Sequence, residues 1–375
     1  MKSTAQSARQ SAGASLVATH ALPSYGGDLK QPKAKTRMWS SLAKSLARPT
    51  RWSSLSVASF MLGQLGILKL TGKWPTRPPT AHTMRGVDFY PWKDLVHAVI
   101  RGAHMFKAEN GFLPNLVSPS SFNEYIFARE FFTPLPMPTL ANKLEAKKHV
   151  KALLGDGFSA SPVWSGDNIG GLFAAEIPAG RHVLKINNGW NSNLFLSLPN
   201  DLANRRDEVE QWAKKGLCSR FGYDWGEWHY CTIEPKLFLE EFIDFNGDQT
   251  PDDYKILCFH GKASLIEVDV DRLTDLRSAF YTPDWKLLPV TYGERPVERP
   301  RPRNLEDMIR VAEAVAGAMD FVRIDLYSDG NSKIFVGEIT FFPGNAGLHF
   351  SDFKLDLWLG SHFGQGPPPE LPWKL

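Results

Sequence analysis

Cysteine is scarce in this chain: three among 375 residues, at Cys218, Cys231 and Cys258. None stands in a CxxC pair and none has a histidine at metal-ligand spacing, which excludes a disulfide framework and a zinc ribbon. An odd, scattered set predicts a reducing compartment, hence a cytoplasmic protein, and ordinary buried thiols. Charge of one sign is missing too, with 43 Lys and Arg against 40 Asp and Glu. No Walker pattern, internal repeat or collagen-like period occurs. Long hydrophobic runs are also lacking. The uncharged stretch Trp52 to Leu68 only just reaches the shortest membrane span, about 17 residues, and it holds four Ser, two Gly and a Gln.

The near-neutral total hides an asymmetry. Residues 1–51 hold nine of the bases and a single acid, Asp28, which leaves +8 on this segment and −5 on the remainder. A broadly basic body for nucleic acid is thereby excluded. Rich in Ser, Ala and Lys/Arg and without a period, the segment predicts a disordered tail. The stretch after Arg51 predicts a helix lying on a membrane surface or against the body. A proline-rich linker, TGKWPTRPPT, ends the tail at Thr80.

Beyond residue 85 the pattern becomes globular. Helical spacing of apolar residues covers 94–106, 142–154, 207–215 and 305–319, the last with Asn304 as its cap. Strands are predicted at 182–186, 236–243, 254–259, 263–270, 321–327 and 333–340. Helices and strands interleave without a regular βαβα alternation, so the fold class is α+β rather than a doubly wound sheet.

Chemistry concentrates in FVRIDLYSDGNSKIFVGEITFFPGNAG (321–347). Alternation puts Arg323 and Asp325 on one face of the first strand, and Glu338 and Thr340 on one face of the second. A loop of even length, Gly330–Lys333, sets Asp325 opposite Glu338. Two carboxylates side by side repel unless protonated or bridged by a cation, which suits Mg²⁺ holding a polyphosphate or, more plainly, a wet acidic hairpin. Lys185 precedes the polar loop NNGWNSN (187–193), where backbone N–H groups can cradle phosphate, and Lys143 opens a lysine-rich helix. KLFLEEFI (236–243) reads as a buried strand running into a hinge. In EVDVDR (267–272), Asp269 and Asp271 form a DxD pair of the kind that holds sugar-nucleotide metals.

Taken in order, these pieces resemble the ATP-grasp superfamily, and within it the TupA-like branch linked to teichuronopeptide and surface-polysaccharide biosynthesis. The markers are FNEYI, LANKLEAKKHV, VLKINNGWNSN, EWHYCTIEPKLFLEEFI, DYKILCFHGKASLIEVDVDR and VRIDLYSDGNSKIFVGEITFFPG, spread from about residue 118 to 360. The resemblance implies an ATP-grasp fold: a small N-terminal lobe (81–141) behind the tail (1–80), a first nucleotide lobe (142–243), and a second lobe carrying the metal and acceptor sites (244–375). It implies ATP held by Lys143, Lys185, Asn188 and Gly189, with adenine at Glu240, Glu241, Phe242 and Ile243. Mg²⁺ falls on Asp325 and Glu338, and Arg323, Lys255 and Arg272 become the catalytic cations. Pro343 and Gly344 border the acceptor site. The implied activity is an ATP- and Mg²⁺-dependent carboxylate–amine ligase working through an acyl phosphate. Its implied partners are an amino-acid or peptide donor and a glycan-precursor acceptor, without nucleic acid. A non-catalytic nucleotide or glycan-precursor binder and a DxD glycosyltransferase are the alternatives. The basic tail with its apolar stretch suits the anionic inner face of a membrane.

Overall fold

A computed structural model describes residues 51–71, 83–84, 87–88, 92–133, 135–190, 193–219, 221–222, 227–231, 233–245, 251–270, 275–293, 297–364, 366 and 370–374. Spacing explains the first helix. Val57, Met61, Leu65 and Leu68 share one face of α1 (Arg51–Leu70), and all four are buried where it packs on α2 (Trp92–Asn110). Gln64, on the same face, donates to Pro114 O at 2.9 Å and accepts from Leu116 N at 2.6 Å. The uncharged stretch therefore lies against the body, while Leu55, Phe60, Leu62 and Ile67 on its other sides stay exposed. Among the described residues no helix is long and apolar enough to cross a membrane.

Two-residue strands β1 (Thr83–Met84) and β2 (Val87–Asp88) pair before α2. The next helix, α3 (Phe122–Phe132), begins with a capping box between Ser121 and Glu124. Then α4 (Lys143–Leu154) starts at Asn142, whose side chain accepts from Leu144 N at 3.0 Å. An antiparallel sheet follows, built of β3 (Pro162–Gly166), β4 (Gly180–Ile186), β5 (Asn193–Leu198) and β6 (Leu237–Glu241) in the order β3-β6-β4-β5. Leu184, Ile186, Leu237 and Leu239 fill its core with Val209 and Ala213 of α5 (Arg206–Leu217).

A second antiparallel sheet is made of β7 (Asp253–Phe259), β8 (Lys262–Val270), β9 (Arg277–Tyr281), β10 (Phe321–Ser328) and β11 (Ile334–Thr340). Its order is β11-β10-β7-β8-β9. Helix α6 (Leu305–Ala316) packs across β7, β8 and β10 through Leu305, Met308, Ala312 and Val315, and α7 (Phe353–Ser361) packs on α3. Two antiparallel sheets with separate helices make the fold α+β, as composition and order predict.

Three expectations need correction. Asn304 precedes α6 but its side chain makes no cap bond; its amide instead donates to Ser328 Oγ at 3.0 Å, an internal bond between buried partners. Cys218 is exposed at the end of α5, whereas Cys258 is buried. The loop between β10 and β11 has five residues, not an even number, because Ser328 pairs with Ile334.

Candidate active site

That odd loop would put Asp325 opposite Gly337 and turn Glu338 toward the core, since one residue of slip exchanges the faces of a strand. A bulge restores the site. Leu326 pairs with Val336, but Asp325 pairs with Glu338 and Arg323 with Thr340, so Gly337 is the extra residue. A Cβ on Gly337 would stand 2.6 Å from the Tyr327 ring, which limits the position to glycine while the ring keeps its place.

The register then builds one polar face on the second sheet. Glu267, Lys255, Asp325 and Glu338 form a row across β8, β7, β10 and β11, with Asp269 and Asp253 in the next row. Arg323 grips Asp325 with two bonds of 2.7 Å, from Nε to Oδ1 and from an Nη to Oδ2. Burial pushes the Asp325 carboxyl up, Arg323 opposes this and Asp253 reinforces it. Lys255 is enclosed by carboxylates: it bonds Asp269 and lies 3.4 Å from Asp253 and 3.7 Å from Glu267. Burial opposes its charge and the three acids outweigh burial. Asp269 also accepts from Ser278, so the first DxD acid is engaged within the sheet. Asp271 and Arg272 lie outside the described residues.

Facing this surface is the first sheet. Val183 and Lys185 on β4 pair with Glu240 and Phe238 on β6, and directly opposed residues share a face, so Lys185 and Glu240 lie together on the side away from α5. Glu240, only 3% exposed, bonds Lys185 and meets Lys147 of α4 at 2.8 Å. Burial disfavours its charge, but the two lysines outweigh burial and hold it below the usual carboxylate range. At Lys147 burial wins and lowers the ammonium, with Lys185 and Lys143 repelling it. Lys143 closes the gap between the sheets, since its Nζ bonds Gly189 O and reaches Glu338 at 3.2 Å.

Asn187 ties the loop to the sheet, donating its N–H to Lys236 O at 3.0 Å and accepting from Lys143 N at 2.8 Å. Asn188 is buried beside it, and a Cβ on Gly189, at φ +76°, would strike the Phe221 ring at 2.4 Å. Along the hinge, Glu241 is exposed, and Phe242 donates its N–H to Arg181 O at 3.0 Å with the Arg181 guanidinium over its ring. Ile243 follows, half-buried. The fold thus gathers Lys143, Lys185, Gly189, Glu240, Arg323, Asp325 and Glu338 between two sheets, with Lys255 one strand further along the second sheet.

Sequence reasoning missed several members. Lys147 was findable, one helical turn after Lys143. Tyr327 and Phe335 are opposed on β10 and β11, and Phe335 stacks on Phe245 with centroids 6.0 Å apart. Glu227 accepts from Trp190 Nε1 at 3.1 Å, and burial pushes its carboxyl up to about 7. His229 is pushed down to about 3, by burial and then by Lys143. Nothing local in the sequence marks these last two, because their burial comes from distant segments.

The donor chemistry fits a magnesium ion shared with phosphate. Asp325 and Glu338 supply hard oxygens across one strand pair, and Mg²⁺ typically takes one or two protein carboxylates plus substrate phosphates. Among the described residues no group of three or more His, Cys, Asp or Glu is arranged to hold a metal by itself.

The model of the TupA-like ATP-grasp family matches residues 128–364. The chain belongs to that family. The match covers α4, both sheets and every site residue named above. Among solved structures, D-alanine–D-alanine ligase from Bacillus anthracis in complex with ATP aligns at 15% identity and TM-score 0.31, over 60% of this chain and 58% of that one. The Helicobacter pylori D-alanine–D-alanine ligase aligns at 15% identity and TM-score 0.38, over 66% and 68%. For the L-amino acid ligase of Bacillus licheniformis the values are 14% and 0.36, over 60% and 50%. The chain thus spans 58% of the length of the ATP-bound ligase it matches. No curated protein matches the chain.

Proposed function

We propose that this ATP-grasp protein is an ATP-dependent carboxylate–amine ligase that works through an acyl phosphate. The observation that carries the reading is the Asp325–Glu338 pair with a cation seated on each carboxylate, Arg323 on one and Lys143 on the other. A nucleotide site with hard-oxygen donors on one wall and three lysines on the other matches the charge pattern of phosphoryl transfer. When bound, Mg²⁺ on Asp325 and Glu338 supplies neutralisation of polyphosphate charge.

This chain's own groups have distinct work. Lys143 and Lys185 bind phosphate oxygens once they exchange their carboxylate partners for the nucleotide. Arg323, fixed by its two bonds to Asp325, orients the reacting carboxylate and stabilises the oxyanion formed when an amine attacks. Tyr327 and Phe335 give the base an aromatic wall beside the hinge Glu240–Ile243. The loop carrying Asn188 and Gly189 excludes water, which otherwise hydrolyses an acyl phosphate.

We assign the substrates by class: an amino acid or short peptide as one partner and a cell-surface glycan precursor as the other, on the ground of the family resemblance. The exposed Leu55, Phe60, Leu62 and Ile67 of α1, placed directly after a segment of charge +8, support docking on an anionic membrane where such precursors sit. A non-catalytic binder would not need a guanidinium locked beside the metal carboxylates. The test is ADP release by purified protein with ATP, Mg²⁺ and panels of amino acids and glycan fragments. Stimulated release that vanishes in Asp325→Asn supports the ligase; ATP binding without release under every pairing refutes it in favour of the binder.

A further inference from the structure

A pocket of about 360 Å³ opens where α2 ends, between that end, the segment after the turn Pro343–Ala346 and the first turns of α7. Asn110, Phe112, His349, Phe350, Phe353 and Asp356 line it. A water takes about 30 Å³ of liquid and small-molecule sites begin at about 300 Å³, so the space suits a ring-sized organic ligand. Phe112 and Phe353 meet edge to face with centroids 5.8 Å apart, and Phe353 is 49% exposed, which leaves ring surface uncovered.

Charge decides the kind of ligand. Among the described residues the wall carries no lysine or arginine, so nothing there answers a phosphate or a carboxylate. Its one carboxyl is already met: Asp356 Oδ1 accepts from Asn123 N at 2.9 Å in the first turn of α3, where the helix dipole also favours an acid. Glu109, behind the wall, has His349 Nε2 at 3.1 Å. Neither acid is left to attract a cation, so a neutral ligand fits. The polar atoms that remain are acceptors. Asn110 spends its Nδ2 on Phe106 O and Ala346 O, at 3.1 and 2.9 Å, and keeps its Oδ1. His349 carries its proton on Nε2, toward the carboxylate, which leaves Nδ1 of the neutral ring to accept. A neutral ligand with hydroxyl donors at its edge and a C–H face for phenyl rings is a sugar.

The pocket shares a wall with the nucleotide site. Phe280 of β9 pairs with Glu267, Glu267 with Lys255 and Lys255 with Asp325, so Phe280 ends the polar row on the same sheet face. The Phe350 ring packs on Phe280 and on Tyr292, each at 5.7 Å, and Tyr292 donates its hydroxyl to Glu267 Oε2 at 3.0 Å. Three strand spacings of about 4.8 Å put Phe280 about 14 Å from Asp325, and the pocket lies beyond it. We infer that this pocket binds a neutral sugar unit of an extended acceptor, separated from the reacting group by at least one further unit.

The inference rests on the ligase reading for the word acceptor alone, and its test contains no nucleotide. Saturation-transfer NMR on the full chain uses methyl glucoside, methyl N-acetylglucosaminide, methyl glucuronide and tetramethylammonium chloride as probes. Both neutral glycosides are expected to receive saturation at their ring C–H protons, and the glucuronide and the ammonium salt little. Phe353→Ala, at an exposed position, and Phe350→Leu, which keeps apolar bulk, both fold and both weaken glycoside binding about fivefold. No saturation of either neutral glycoside, a preference for the glucuronide or the ammonium salt, or binding that both variants leave unchanged overturns the inference. Sugar binding by a chain that releases no ADP with any substrate sinks the ligase reading and leaves the pocket assigned; ADP release without sugar binding does the reverse.

Discussion

Lys143, the first residue of α4, reaches Glu338 on β11 at 3.2 Å and so joins the two sheets through one ion pair. On the proposed reading, in which Lys143 binds phosphate and Glu338 the metal, ATP would have to take the lysine and free the carboxylate in the same event. Lys143→Met is therefore expected to weaken ATP binding by about tenfold or more, the worth of a charge-assisted bond. Glu338→Gln is expected to bind ATP yet lower ADP formation by at least about 10²-fold, since charge neutralisation at the phosphates is worth several kcal/mol. Calorimetric titration and turnover assays separate the two effects.

Glu240 bears on stability as well as binding. It is the carboxylate between Lys185 and Lys147, with the lysine side chains 18% and 11% exposed and its own 4%. Glu240→Ala leaves two largely buried ammonium groups without their partner, and a loss of about 3–5 kcal/mol is expected in denaturant unfolding. Adding Lys147→Met to that variant removes one of the stranded charges and is expected to restore part of the loss. A purely additive double variant would rule out this coupling.

Much of this was legible beforehand, and the limits have physical causes. Alternation of polar and apolar residues located Arg323, Asp325 and Glu338 on their strands, because a strand with one buried face must carry period two. The same rule predicted their pairing through a loop of the wrong length. A loop one residue longer and a bulge at Gly337 cancel, and neither is visible in a period. Asp329 explains the longer loop: its Oδ1 accepts from Asn331, Ser332 and Lys333 N at 2.8–2.9 Å. Glu227 and His229 escaped notice because tertiary packing alone gives them their character. The capping box at Ser121–Glu124 was readable as SxxE and signals α3 directly.

Gly337 gives a test of the bulge. Its missing side chain makes room for Tyr327, whose ring atoms lie 2.6–3.3 Å from where a Cβ would be. Gly337→Ala is expected to push the Tyr327 ring away and cost about 1–3 kcal/mol through overpacking. Nucleotide affinity should fall with it, since Tyr327 lies near enough to Lys185 to act on its charge. Tyr327→Leu in the same background is expected to recover stability but not affinity, a split that unfolding and ATP titration together resolve.

The membrane reading predicts a salt-dependent partition. Co-sedimentation of the full chain with phosphatidylserine vesicles should fall as salt rises, because the tail supplies about 1 kcal/mol per basic residue only near the surface and within a screening length. Phe60→Ser with Leu62→Ser should reduce binding further while leaving the buried face of α1, Val57, Met61 and Leu65, in place. Vesicles of neutral lipid should recover little protein. Equal binding to both lipids would count against the tail.

Glu227 supplies a pH signature with a definite sign. Its carboxyl is pushed from the usual 4.5 up to about 7, first by burial and then by Glu338, with the Trp190 N–H holding it down in part. The folded state binds this proton more tightly than the unfolded state does, so between about pH 4.5 and 7 stability falls as pH rises. Below that window both states are protonated and the contribution is absent; above it the full cost is present, about 3 kcal/mol at most. Glu227→Gln keeps an acceptor for Trp190 Nε1 and removes the charge. The variant should match the parent near pH 4.5 and exceed it in stability by pH 8, with the gap opening across the window. Denaturant unfolding of both proteins along a pH series measures that gap directly, and a constant offset at every pH would place the Glu227 proton elsewhere.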